Sequence, residues 1–440
     1  YDAAQKAMAM SANATAAEKD YIKALTVRYS IEPGADLVAL DKKYSEPMKA
    51  LSEKYPDDLD AATLYAESMM NLRPWKLWTS DGKPAEGTLE IVAVLESVLR
   101  RNPNHTGANH YYIHAVEASN TAERGLPSAD RLGKIAPKAG HLVHMPSHIY
   151  VRTGQYEKAI TSNRRSLGAD RLFQKEWGDR ATPSLGTYGL SSRSHARHAW
   201  DFLRYASMHA GNYAQAMEAA KAASGGVSHQ GMGGSERAAS MLWMLNKIFG
   251  KWDQVLAEPE PEHGSAYLHG LWHYARGSAF VARGEFEKAN EELKQLRTAR
   301  ADPSVKAMLT VANPAPTVLE ISAHGLEGEL LSAQGQHTRA VKAFADAVKL
   351  QDTLKYVEPP DWGQSMRLYL GAALLKAGRA RAAELVYRED LKEFRNDGWA
   401  LFGLAQSLRA QKKSAAAVKA EREFQSAWKN ADVTLKRSVF

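Results

Sequence analysis

The sequence contains no cysteine. Disulfides, thiolate metal sites and a cysteine nucleophile are therefore excluded, and any metal must be held by His, Asp, Glu or Met. No apolar run approaches the roughly 18–20 residues of a membrane-spanning helix, so no membrane span is expected. No run of five or more Lys or Arg occurs. The excess of 57 basic over 50 acidic residues, a formal charge of +7, is spread along the chain. Nucleic acid is not an expected partner on that pattern. No Gly-x-Ser-x-Gly elbow is present, which sets aside a serine hydrolase of the kind built on one. What remains, at 44% hydrophobic and 24% charged residues over 440 positions, is a globular balance that excludes disordered and collagen-like chains.

The sequence starts at Tyr1, with no Met and no signal-peptide pattern, and reads as processed or trimmed at that end. The lack of cysteine suits an oxidising compartment. It permits a periplasmic or exported location and leaves the cytoplasm open.

Internal repetition is the strongest positive signal. Gly154-Gln-Tyr156-Glu-Lys-Ala159, Gly211-Asn-Tyr213-Ala-Gln-Ala216 and Gly284-Glu-Phe286-Glu-Lys-Ala289 share a Gly-x-aromatic-x-x-Ala pattern. Looser copies begin at Gly335 and Gly378, and Gly277, Gly328 and Gly371 each lie seven residues before a turn glycine. Small residues at these places let two helices approach, and a turn glycine tolerates the break between them. The pattern resembles the tetratricopeptide repeat, a helix–turn–helix unit, over roughly residues 59–430. The expected fold is all-α, a tetratricopeptide-like α-α superhelix (a solenoid) of degenerate helix–turn–helix repeats.

Three segments are expected: an N-terminal helical stretch over 1–58, a histidine-rich set of repeats over 59–223, and C-terminal repeats with a capping helix over 224–440. Breaks are expected at Tyr29–Gly34, after Leu72, at Glu258–Glu262 and at Asn313–Pro316, with a last helix near Ala415–Asn430. Trp75-x-x-Trp78 reads as a loop anchor. The glycine-rich stretch Ser224–Ser235 lacks a Gly-Lys-Ser/Thr ending and reads as a loop, not a phosphate cradle.

Nine of the fifteen histidines fall between His105 and His209. His110-Tyr-Tyr-Ile-His114-Ala-Val-Glu117 and His141-Leu-Val-His144-Met-Pro-Ser-His148 each place their members on one helix face. His110 and His144, and again His114 and His148, stand one repeat length of 34 residues apart. Equivalent positions in successive repeats project from neighbouring parallel helices. The candidate metal ligands are thus His110, His114, Glu117, His141, His144 and His148, with His195, His198 and Glu67 as additional candidates. Imidazole with carboxylate suits a divalent transition metal such as Zn, Cu or Fe, without choosing among them. Met145 would favour copper if it turned towards the site. Pro146 interrupts the second motif, and a helix starting there would leave His141 and His144 in a loop.

The stretches Asn109–Ala118 and Gly140–Ile149, together with Leu72-Arg-Pro-Trp75 and Gly398-Trp-Ala-Leu-Phe-Gly-Leu404, resemble a group of bacterial tetratricopeptide repeat proteins. In that group a third segment reads His-Asn-x-His, where this chain has His195-Ala196-Arg197-His198. The resemblance implies a fold and a further N-terminal repeat, and it implies no reaction.

Two functions fit. One is a metal-binding solenoid, an enzyme or not, whose concave groove carries the histidines, with Tyr111, Tyr112 and Tyr150 lining space for a small molecule. The other is a scaffold that receives a peptide or protein in a groove carrying Arg152 and Arg204. A groove filled by the protein's own loops would count against the second. Oligomeric state is left open.

Overall fold

The computed structural model describes residues 1–178, 192–225 and 233–440, without the side chains of 192–195 and 233–235. The glycine-rich loop falls largely outside these residues. Among those described there is no β-strand, only the isolated bridges Trp78–Pro84 and Leu309–Pro314. The fold is all-α and tetratricopeptide-like, and it forms two compact units, Tyr1–Pro137 and Lys138–Phe440.

The first unit contains α1 (Asp2–Ala9), α2 (Ala16–Thr26), α3 (Leu37–Lys54), α4 (Leu59–Asn71), α5 (Thr88–Arg101), α6 (Thr106–Glu117) and α7 (Leu126–Ile135). Polar caps fix where these helices begin. Thr15 and Glu18 form a reciprocal capping box on α2, and Asp36 and Asp58 accept from the first amides of α3 and α4. His105 caps α6, its Nδ1 accepting from the Ala108 amide at 3.1 Å. The loop after α4 is pinned where the Trp78 indole donates to the Ala115 carbonyl at 2.7 Å, whereas Trp75 is exposed.

The second unit starts with two short helices, α8 (Gly140–His144) and α9 (Pro146–Arg152), followed by α10 (Tyr156–Trp177), α11 (Ser192–His209) and α12 (Tyr213–Ser224). Next come α13 (Gly233–Ile248), α14 (Trp252–Ala257), α15 (Ala266–Arg283), α16 (Phe286–Ala301), α17 (Ala315–Ala333) and α18 (His337–Gln351). The last four are α19 (Met366–Lys376), α20 (Ala380–Glu393), α21 (Gly398–Ala410) and α22 (Ser414–Ala427). From α10 on each helix packs on the next, and α13, α15, α17, α19 and α21 also form a row in which each touches its neighbour.

The turn glycines Gly154, Gly211, Gly284, Gly335 and Gly378 all have φ between +69° and +78°, the left-handed conformation that a helix–turn–helix break requires. Gly250, at φ +63°, is a further copy one repeat length before Gly284. The upstream glycines sit at helix crossings. A Cβ on Gly328 would stand 2.7 Å from the Phe344 ring, and one on Gly371 would collide with Tyr387.

The row returns on itself. Trp399 of α21 donates to the Met208 carbonyl of α11 at 3.1 Å, and Asp397 lies 2.9 Å from His209. The chain beyond α22 does not end in solvent but folds back. The Asp432 carboxylate accepts from the Tyr213 and Ala214 amides at the start of α12, at 2.7 and 2.8 Å. Phe440 covers Gly250. One apolar core then runs continuously from Tyr205 and Met208 through Trp399 to Val439.

Candidate metal centre

The candidate ligands divide between the two units. In the first, α6 carries His110, His114 and Glu117. Nδ1 of His114 lies 2.7 Å from the buried Glu117 carboxylate, and the His110 and His114 rings lie 5.1 Å apart. Glu67 of α4 accepts from Asn71 at 2.6 Å and lies 3.7 Å from Arg28. It is committed to α4 and its neighbours. Tyr112 turns to α5, its hydroxyl donating to Glu96 at 2.6 Å.

In the second unit, His144, His148 and His198 come together, with one donor atom from each lying within 4.8 Å of the others. His144 and His148 are buried and His198 is half-buried. Pro146 does not throw the motif into a loop. Met145 keeps helical angles, φ −49° and ψ −37°, so α8 runs into α9 and Pro146 takes the first position of the second segment. Proline is tolerated there because that amide has no intrahelical acceptor. His144 and His148 therefore stay one turn apart on one face. His198 comes from α11, which packs against both α8 and α10. His141 is exposed on α8, its ring 6.4 Å from that of His144. Met145 is fully buried in the core. The side chain of His195 is outside the described residues.

The outer nitrogens of the two buried rings are engaged. The Asn163 amide donates to the Ala159 carbonyl at 2.8 Å, which turns its oxygen to Nδ1 of His144 at 2.6 Å. Nδ1 of His148 lies 3.0 Å from the Glu358 carboxylate. An oxygen acceptor on Nδ1 places the imidazole proton there and makes Nε2 the nitrogen that carries the lone pair. The two Nε2 atoms face each other at 2.9 Å. Two lone pairs at that distance repel unless a proton or a cation lies between them.

Phe202 closes the site, its ring centroid 4.5 to 5.0 Å from all three imidazoles. This apolar cover restricts the rings and excludes water from their faces. A tetrahedral ion with bonds of 2.0–2.1 Å needs donor nitrogens about 3.3 Å apart. His144 and His148 would open slightly and His198 would move inward, which side-chain rotation supplies.

Glu358 and Asn163 are the residues that sequence spacing missed. Asn163 sits four residues after Ala159 of a recognised turn, but nothing there signals a role. Glu358 lies in the segment between α18 and α19, far along the chain from His148, and only the fold joins them. Tyr356 of that segment stacks under the Arg152 guanidinium at 5.7 Å, and Trp362 lies 5.7 Å from the Tyr274 ring. The segment thus meets α9 and α15 of the second unit. Arg204 is buried and tied to Asp201 at 2.7 Å. Burial alone would raise the Asp201 carboxyl, but Arg237 and Arg204 hold it below the usual carboxylate range.

No protein-family model matches the chain, and no curated protein matches it. Among solved structures, human IFIT1, determined as a dimer with PPP-AAAA, is 11% identical over 96% of this chain and 77% of its own, with a TM-score of 0.33. Yeast Tom70 is 13% identical over 97% of this chain and 92% of its own, with a TM-score of 0.32. Among the described residues, no helix is long and apolar enough to cross a membrane.

Proposed function

We propose that the second unit binds a divalent transition metal through Nε2 of His144, Nε2 of His148 and the imidazole of His198. The observation that carries this reading is the pair of facing Nε2 atoms at 2.9 Å, each on a ring whose other nitrogen is held by an oxygen. Ligating histidines are oriented in this way by a carboxylate or carbonyl partner, here Glu358 and Asn163. Three neutral imidazoles suit Zn, Cu or Fe, and no sulfur donor joins the set. Three protein ligands leave a further coordination position, and a metal held so acts as a Lewis acid or lowers the pKa of a bound water.

The 352–365 segment of the second unit lies against His148, Arg152, Arg237 and Tyr274 of that same unit. That supports the metal reading over capture of a peptide in this part of the molecule. Reconstitution with zinc, dialysis and elemental analysis test the proposal. Stoichiometric metal in the unaltered protein, lost in His148→Ala with the far-ultraviolet spectrum unchanged, is the expected result. Sub-stoichiometric metal in the unaltered, zinc-loaded protein rules it out.

A further inference from the structure

A second site, built from different residues, lies deeper in the same unit. Residues of α11, α13, α15, α17 and α19 and the loop Pro360–Gln364 line a cavity of about 60 Å³. At roughly 10–15 Å³ per water, that is room for four to six heavy atoms.

The wall carries polar groups that the protein leaves unanswered. The Trp362 indole N–H, the Gln364 amide nitrogen and Oδ1 of Asp361 are buried without a hydrogen-bond partner among the described residues. The orientation of Gln364 is fixed, because its oxygen accepts from the Tyr369 hydroxyl at 2.9 Å, leaving its NH₂ as the unanswered end. Asp361 is fixed too. Its Oδ2 accepts from Thr310 and Asn313 at 2.5 and 2.8 Å, while Oδ1 stands 3.6 Å from the Arg237 Nε. Trp362 and Gln364 are only 6% and 5% exposed. A buried donor or acceptor left without a partner is costly, and native proteins answer such groups with water or a ligand.

Charge decides the class of ligand. Arg204 and Arg237 are balanced by Asp201 and Asp361, and Lys247 is balanced by Glu329 at 2.8 Å. An ionic ligand would add an uncompensated buried charge, which is strongly unfavourable. The orphan groups ask for one molecule that both accepts, from Trp362 and Gln364, and donates, to Asp361. Met241, Met244, Leu271 and Val318 supply an apolar remainder of the wall.

We infer that this cavity binds a small uncharged molecule with an amide-like donor–acceptor end and a short aliphatic body. The polar end pairs with Trp362, Gln364 and Asp361, and the aliphatic end packs on the methionines.

Ligand-observed NMR titration of the full chain with propionamide tests this, with propionate and propylammonium as charged counterparts of the same size. Saturable millimolar binding of propionamide is expected, weakened about tenfold when either donor is removed by Trp362→Phe or Gln364→Leu. Both charged probes bind more weakly. Either variant alone decides the matter if the other does not fold. Absence of saturable binding, as for a cavity holding only water, overturns the inference. So does affinity unchanged in a folded variant, or propionate or propylammonium binding as tightly as the amide. Because the readout needs no metal, a failed metal reconstitution leaves the result of this test unaffected.

Discussion

Nδ1 of His148 meets the carboxylate of Glu358 at 3.0 Å, across more than two hundred residues of sequence. His148 is buried and Glu358 half-buried, and the contact fixes which nitrogen of the ring faces His144. Replacing Glu358 by Gln keeps the shape and removes the charge. Metal affinity is expected to fall roughly 10–100-fold, the usual effect of losing such an orienting partner. Competition with a chelator, read alongside an unchanged melting temperature without metal, checks this.

Asp390 is buried with neither carboxylate oxygen hydrogen-bonded among the described residues. Burial, and then the nearby Asp397, push its carboxyl well above the usual 3.8. The folded state therefore favours the protonated acid. Its contribution to stability is full below the unfolded value and is lost as pH rises through the folded one. Asp390→Asn keeps the neutral shape at every pH. It should stabilise the protein at neutral pH, because folding no longer has to protonate the acid, by up to about 1.4 kcal/mol for each pH unit above the unfolded value, with the gain vanishing towards pH 4. Urea unfolding of both proteins across that range gives the answer.

Gly371 and Gly403 flank the Tyr387 ring, and a Cβ on either would collide with it. Alanine in a helix normally gains about 1 kcal/mol over glycine. Here overpacking opposes it at about 1–3 kcal/mol, so Gly371→Ala should be net destabilising or neutral, not stabilising. A calorimetric melt of the variant settles the sign.

Asp397 joins the last repeat to α11 through His209, and it also caps α21 by accepting from the Ala400 amide at 3.2 Å. The His209 ring lies stacked between Tyr156 and Phe394. Leaving the His209 N–H unanswered costs about 1–3 kcal/mol and losing the cap about 1 kcal/mol more, so Asp397→Ala is expected to lower the unfolding midpoint. An effect no larger than that of an exposed residue would mean that this junction does not hold the row closed.

The repeat architecture was legible because each turn needs a positive φ and each crossing needs a missing side chain, and both demands write glycine into the sequence. Gly250 escaped notice because Val255 stands where the other copies have alanine. The i, i+4 pair His144 and His148 was legible from helix geometry once Pro146 is allowed at a first-turn position. The register also pairs these histidines with His110 and His114, which lie in the other compact unit. Glu358 and the Asp397–His209 link could not be read, because they arise where the row turns back on itself and loops reach across it. Charge patterning likewise suggested Arg204 as a groove residue, whereas the fold buries it against Asp201.

The central claim is that His144, His148 and His198 share one cation, and anomalous diffraction from crystals grown with zinc tests it most directly. The account predicts a single peak, on data collected above the zinc edge, about 2.0–2.1 Å from Nε2 of both His144 and His148. A map with no peak there, and the two nitrogens still 2.9 Å apart, would show a shared proton in place of the metal and contradict it.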